Sequence, residues 1–311
     1  KQVHSMVHQK TISADTAVQV ALLNNKGLQA SYANVGLSAA EAWQQSTPEN
    51  PIVSIGVLGI GAPELGVYRA IEGLIRSNVL DATTRKQRMA IADASFRQAQ
   101  LNAVNDTLAL ANQTRKAWVD AVAAFEAVSY LRRAKATSDA GSELAMRLGE
   151  TGALNKAGQA REQAFNAELA GQLAQARLNA TRSKEQLTRL MGLWGTEVDY
   201  YVPDALPALP RSVGRVTDVE AKALRNRVDL RVAKLGLEAQ AKAFGLTDQT
   251  RIVSDLEFIA GFEAEREIED GETETVTTPQ VEVEFAIPIY DTGKARMRKA
   301  ELSYLQAANV L

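Results

Sequence analysis

The sequence has no cysteine, which excludes disulfides, thiolate nucleophiles and thiolate metal sites. Aromatic residues are scarce, at 5%, and only 8 of the 311 residues are proline. Ala, Leu, Gln, Glu, Lys and Arg crowd the middle of the chain instead, the composition of long, closely packed helices and not of a mixed globular core. Histidine is limited to His4 and His8. Their spacing allows one helix face, but without nearby carboxylates they read as N-terminal tail residues, and no metal site is assigned. Neither sign of charge dominates: 35 basic against 37 acidic residues give a net charge of -2, and no basic block offers the electrostatic footprint of a nucleic-acid-binding protein. No window reaches the roughly 18 to 20 apolar residues of a membrane-spanning helix. The chain opens Lys1-Gln2-Val3-His4 and not with a signal-peptide pattern, so any export signal is expected to lie outside it. If the chain meets a bilayer, it must do so through strands or through partners.

What is present is organised in long periods. Over residues 81–147 there is no proline and the one glycine is Gly141. Apolar or small residues recur in sevens at Val104, Ala111, Trp118 and Phe125, and at Leu101 and Leu108, which predicts one very long helix. At 1.5 Å per residue it would reach about 100 Å. Gly149 and Gly152 then punctuate the segment Leu148-Gly149-Glu150-Thr151-Gly152-Ala153-Leu154-Asn155, the chemistry of a tight helix-to-helix turn. A second helix over 155–191 carries a seam at Leu169, Leu173, Ala176, Ala180, Ser183, Leu187 and Leu190, in steps of four and three. The two helices are therefore expected to form an antiparallel coiled-coil hairpin. A Pro-rich connector follows at 196–215, with Pro203, Pro207 and Pro210.

Beyond the connector the chain starts again. Ala21-Leu22-Leu23-Asn24-Asn25-Lys26-Gly27-Leu28 reads against Ala223-Leu224-Arg225-Asn226-Arg227-Val228-Asp229-Leu230, and each copy is followed by two strand-like segments and a new helix. This divides the chain into a first repeat, 1–215, and an incomplete second, 216–311. In the second, Leu256, Phe258, Ala260 and Phe262 alternate along one run, and Val281, Val283, Phe285 and Ile287 alternate with Glu282 and Glu284 along the next. The acidic stretch 263–279 between them reads as a solvated loop within a β-hairpin at about 251–289. In the first repeat the hairpin falls at about 51–80, with a Gly-Pro turn at Gly59-Ile60-Gly61-Ala62-Pro63. The strands approach the about 9 to 11 residues that cross a bilayer when tilted.

This order of elements is similar to the protomer plan of TolC-like outer membrane factors. The motifs that carry the resemblance are Asn24-Asn25-Lys26-Gly27-Leu28, Asn50-Pro51, Gln186-Leu187-Thr188-Arg189-Leu190-Met191-Gly192-Leu193, Val228-Asp229-Leu230, and Pro288-Ile289-Tyr290-Asp291-Thr292-Gly293-Lys294-Ala295-Arg296. Together they span nearly the whole chain. The resemblance implies a mainly α fold with β-hairpins. It implies a homotrimer whose strands form a transmembrane β-barrel in the cell outer membrane, continued by a helical barrel into the periplasm. The implied role is a passive exit duct for tripartite efflux or type I secretion, without cofactor or catalysis, serving a periplasmic adaptor and an inner-membrane pump. It also implies that the hairpin tip, Leu148, Gly149, Thr151, Gly152, Leu154 and Asn155, docks the adaptor, and that Glu282 and Glu284 line the barrel lumen while the alternate face meets outer membrane lipid. Two departures stand out. Asn78-Val79-Leu80-Asp81-Ala82-Thr83 lacks the Pro and Gly of the second strand-to-helix junction, and the chain stops at Leu311, inside the helix that should open a second long hairpin, so a C-terminally shortened piece is expected.

Other signals have plainer readings. Gly293-Lys294 lacks both the earlier Gly and the following Ser or Thr of a phosphate loop. Trp118 and Phe125 read as packing residues. A periplasmic adaptor, also built on a helical hairpin plus β-structure, is the main rival; it would carry a lipoyl-like or barrel half-motif on both flanks, where this chain carries helix and β-hairpin twice. An enzyme would need polar groups clustered at strand ends, and none is found.

Overall fold

The computed structural model describes residues 2–61, 68–208, 217–269 and 272–311. Parts of the Gly59–Pro63 turn and of the 196–215 connector lie outside them. The described elements are α1 (Gln2–Val7), α2 (Ala14–Asn24), α3 (Lys26–Ser46), β1 (Ile52–Leu58), β2 (Ala70–Asn78), α4 (Val79–Glu150), α5 (Lys156–Met191), a 3-10 turn (Gly195–Val198), α6 (Val219–Asn226), α7 (Val228–Gln249), β3 (Leu256–Glu269), β4 (Glu272–Phe285) and α8 (Lys294–Val310). They group into two compact units, one of residues 1–33 and 103–225, the other of 34–102 and 226–311, so the units cut across the two sequence repeats. No described helix is long and apolar enough to cross a membrane, which bears on helices alone.

The first unit is built on the hairpin of α4 and α5. Asn166 Nδ2 donates to Asp139 Oδ1 at 2.9 Å and Ser142 Oγ to the Glu162 carbonyl at 3.4 Å, which fixes an antiparallel pairing. On α5 the buried positions Leu169, Leu173, Ala180 and Leu187 keep to the expected seam. On α4 the expected row holds in part: Trp118 is buried and Phe125 packs against the cluster of Val128, Leu173 and Ala180, whereas Val104 and Leu108 are exposed and Ala103, Leu110, Thr114, Ala117, Ala121, Val122 and Val128 are buried beside the row. The buried residues of α4 spread over more than one row because the helix packs on the N-terminal segment as well as on α5.

The hairpin's core is completed by the N-terminal segment. Val7, Ile12, Val20 and Ala21 pack with Trp118, Val122, Leu187, Met191 and Tyr200, and the Trp118 indole donates to the Ile12 carbonyl at 2.9 Å. A parallel bridge joins Thr11 to Tyr201, and Gln9 N–H donates to the Asp199 carbonyl at 2.7 Å. The expected tail is therefore docked, its His4 and His8 rings stacked at 4.4 Å. The motif Asn24-Asn25 has a mechanical role here: Asn24 Nδ2 donates to the Gly192 carbonyl at 2.7 Å and Asn25 Nδ2 to Leu190 at 2.9 Å, filling carbonyls that the end of α5 leaves without helical partners. Asn25 Oδ1 meanwhile accepts from Leu28 N–H at the start of α3. The second copy breaks at the equivalent place, with Arg227 (φ -63, ψ 123) matching Asn25 (φ -65, ψ 119).

The second unit carries one antiparallel sheet in the order β1-β2-β3-β4. Here the acidic stretch 263–279 is mostly strand and not loop: β3 runs on to Glu269 and β4 starts at Glu272. The alternation Phe262-Glu263-Ala264-Glu265-Arg266-Glu267 continues the period of two, so the glutamates occupy one face of a longer hairpin and Arg266 the other. Ile287, expected on the strand, lies past its end at Phe285. The two strand-to-helix junctions differ as the sequence suggests. Gly293, at φ 72, turns the chain into α8. β2 instead passes straight into α4, with Asn78 Oδ1 accepting from Asp81 N–H at 2.8 Å as a cap. Buried Asp81 pairs with Arg88, and Arg85 reaches the Ser46 carbonyl at the end of α3.

Candidate functional site

Two surfaces have the character of sites. In the sheet, register assigns every side chain to a face. Glu282 and Glu284 sit opposite Ile259 and Glu257, while Val281 and Val283 sit opposite Ala260 and Phe258. Carried across β2 and β1, the first face gathers Glu72, Glu257, Glu263, Glu265, Glu267, Glu274, Glu282 and Glu284, and the second gathers Val53, Ile55, Val57, Ile71, Ile75, Phe258, Phe262, Val281, Val283 and Phe285. On the acidic face Arg76 pairs with Glu257 at 3.2 Å, Arg69 with Glu265 at 2.8 Å, and Gln280 donates to Glu72 at 3.0 Å. Glu257 still faces Glu284, and Glu267 faces Glu274, directly across the ladder. Like charges in that position destabilise a sheet unless water screens them.

The apolar face is uncovered: Ile55 is 77% exposed and Val281 68%. An exposed apolar surface of this extent marks a place where another molecule or a membrane sits. Alternation made the two faces legible in the sequence. Its continuation through 263–279 was the signal that the reading as a loop missed.

The second surface is the α4–α5 turn. Gly152 adopts φ 77, the left-handed conformation that favours glycine. Leu154 N–H donates to the Leu148 carbonyl at 3.1 Å and Thr151 Oγ1 to the same carbonyl at 3.0 Å. Asn155 caps α5 by accepting from Gly158 N–H at 2.8 Å. Gly149 lies against the Gln159 side chain, which a Cβ would strike at 2.0 Å. The structure thus brings all six expected tip residues together and gives five of them, Gly149, Thr151, Gly152, Leu154 and Asn155, a part in forming the turn, Leu148 lending its carbonyl. The Leu148 side chain is 39% exposed and takes none. Among the described residues no group of three or more His, Asp or Glu is arranged to hold a metal ion.

No protein-family model matches the sequence and no curated protein matches it. Solved structures match it in fold. A membrane protein from Pseudomonas aeruginosa superposes with a TM-score of 0.74 at 14% identity, over 96% of this chain and 72% of that one. CusC, described in terms of conformational changes accompanying folding and transmembrane channel formation, gives 0.72 at 14% identity, over 96% and 71%. The Campylobacter jejuni CmeC outer membrane channel gives 0.71 at 17%, over 96% and 66%. The chain shares the fold of these membrane proteins and spans about two thirds to seven tenths of their length.

Proposed function

We propose that this chain is a protomer of an outer membrane channel serving efflux or type I secretion. The observation that carries the reading is the single sheet with an uncovered apolar face and an acidic reverse, on the fold of known outer membrane channels. A soluble sandwich would cover its apolar face with a second layer; a transmembrane barrel turns that face to lipid and the other to a wet lumen. In this reading three copies close the barrel edge to edge, and Glu282 and Glu284 line the lumen. Transport is passive, driven by an inner-membrane pump through a periplasmic adaptor that meets the α4–α5 tip. Leu148 offers the free side chain for that contact. Exposed Val104, Leu108 and Tyr130 on α4 suit packing between protomers. The adaptor reading of the chain itself draws no support, since an uncovered sheet with two contrasting faces has no place in a small soluble barrel.

The test is a pair of substitutions on neighbouring positions of β4. A basic residue on a lipid-facing strand position costs about 2 to 4 kcal/mol near the bilayer midplane. Val281→Arg should therefore remove the protein from outer membrane preparations, while Glu282→Arg should leave it there and change only the current through the pore. Equal recovery of both variants in the membrane would overturn the assignment of faces.

A further inference from the structure

Half of the second unit's cations lie at one end of the sheet, the others being spread over the strands and along α4 and α7. The pairings Ile52 with Arg76, Asn78 with Glu257, and Leu256 with Phe285 place the start of β1, the end of β2, the start of β3 and the end of β4 at the same end. The helices that leave or enter there are basic. The early turns of α4 hold Arg85, Lys86 and Arg88, those of α8 hold Lys294, Arg296, Arg298 and Lys299, and Arg251 follows the end of α7. Helix stability does not call for this arrangement, because basic residues in a first turn run against the helix dipole, and α8 has no acidic residue in its first turn. Some of these cations have work inside the chain: Arg85 and Arg88 hold the end of α3 and Asp81, and Arg298 pairs with Glu301 at 2.7 Å. Lys86, Lys294 and Lys299 are exposed, and Arg296 stands 3.9 Å from its nearest carboxylate, Asp291.

The segment between the strand and these cations completes the pattern. Ile287 and Ile289 are 70% and 71% exposed and Tyr290 is 98% exposed. Along the chain the order is apolar strand face, then Ile and Tyr, then Lys and Arg. That is the order of a bilayer met from its hydrocarbon through its interface to its charged headgroups, where aromatic rings and basic side chains settle. The apolar face explains Val281 and Val283 but gives no reason for lysines beyond it.

Resting on the channel reading above, we propose that this end of the sheet is a binding surface for anionic phospholipid headgroups, with Lys86, Lys294, Arg296 and Lys299 facing headgroup phosphates and Tyr290 at the interface. The cations complement the charge of such a leaflet and continue the apolar face that lies in its hydrocarbon. Anionic lipid then fixes the depth at which the barrel sits.

The experiment floats the purified full chain with phosphatidylcholine vesicles, with and without phosphatidylglycerol. Each juxtamembrane lysine adds about fivefold in affinity for an anionic surface, and salt screens the gain. Wild type should bind the phosphatidylglycerol vesicles on the order of a hundredfold more tightly, and high salt should erase the difference. The triple variant Lys86→Gln, Lys294→Gln, Lys299→Gln should lose most of that preference while keeping its binding to neutral vesicles. A matched triple on the other unit, Lys26→Gln, Lys116→Gln, Lys156→Gln, should keep both. Equal binding of wild type to the two kinds of vesicle overturns the headgroup surface and leaves the channel reading standing. Equal loss in both triples overturns it also, since the effect would then be net charge. Absence of binding to either vesicle overturns the channel reading and this surface with it.

Discussion

The hydrophobic residues around Leu187 and those along β4 behave in opposite ways. Leu187, Met191 and Val122 are fully buried, by segments far apart in the sequence. Val281, Val283 and Phe285 have equally apolar side chains, yet each is more than half exposed. The core is finished by the chain itself: the N-terminal segment, the hairpin and the residues after α5 each contribute, and Asn24 and Asn25 close the polar end of α5. The sheet is paired between its four strands but, among the described residues, open at the edges of β1 and β4, and its surfaces are uncovered. One region takes its stability from its own burial, at about 1.5 to 3 kcal/mol for each large side chain; the other holds that driving force in reserve for whatever covers it.

The strongest way to break this comparison is to truncate one residue on each side of it. Leu187→Ala removes a fully buried side chain from a packed core, and should cost about 2 to 5 kcal/mol of unfolding free energy. Val283→Ala removes a side chain that is 60% exposed, and should stay within about 0.5 kcal/mol in water or mild detergent. Urea denaturation followed by circular dichroism separates the two. Similar midpoints for both variants would mean that the core is not where the chain's stability lies.

Much of this contrast could be read from the residues. Alternation on β4 announced two faces, the four-three seam on α5 was correctly placed, and Gly149 with Gly152 marked the turn. The errors share a cause. In the stretch 263–279 charge density suggested a solvated loop, although the alternation had not stopped; a charged strand needs a wet face, and nothing local to the residues says that one exists. On α4 the expected row was right at Trp118 and Phe125 and wrong at Val104 and Leu108, because which residues are covered depends on segments packed from elsewhere in the chain. Asn24-Asn25 stood out only as a resemblance. Its targets, the carbonyls of Leu190, Met191 and Gly192, lie far along the chain and cannot be read from neighbouring residues.

A smaller effect sharpens the account of the core. Tyr200 is fully buried, with its hydroxyl 2.8 Å from Thr188 Oγ1 and 3.2 Å from the Lys184 carbonyl. Burial pushes its phenol up to about 12, against the Thr188 hydrogen bond, which acts the other way. A raised acid favours the folded state while the phenol is protonated. That contribution is complete below about pH 10, the unfolded value, and is lost as pH rises through about 12. Tyr200→Phe should therefore flatten the fall in stability between these limits. At neutral pH it should cost about 1 kcal/mol for the lost hydrogen bond, and not more, because Thr188 Oγ1 keeps its own bond to the Lys184 carbonyl at 2.8 Å. An unchanged alkaline profile in the variant would show that the phenol is not desolvated.

The smallest effect on folding is expected at the hairpin turn, where the comparison recurs on the scale of one side chain. Gly152 and Asn155 are committed to the turn by a φ of 77 and by the cap on Gly158, so substitutions there would mix docking with strain. The Leu148 side chain is exposed and takes no part in forming the turn, as the apolar strand face takes no part in a core. Leu148→Lys places a cation in the last turn of α4, where the helix dipole tolerates it, and the thermal midpoint should barely move, within about 0.5 kcal/mol. If the tip meets an adaptor, the same substitution places an unpaired charge in a closed interface, where desolvation costs several kcal/mol at each contact. Export in cells carrying the complete system should then fail, and crosslinking between tip and adaptor should disappear, while the protein still reaches the outer membrane. Unchanged export and crosslinking would reduce the turn to its mechanical role of joining α4 to α5.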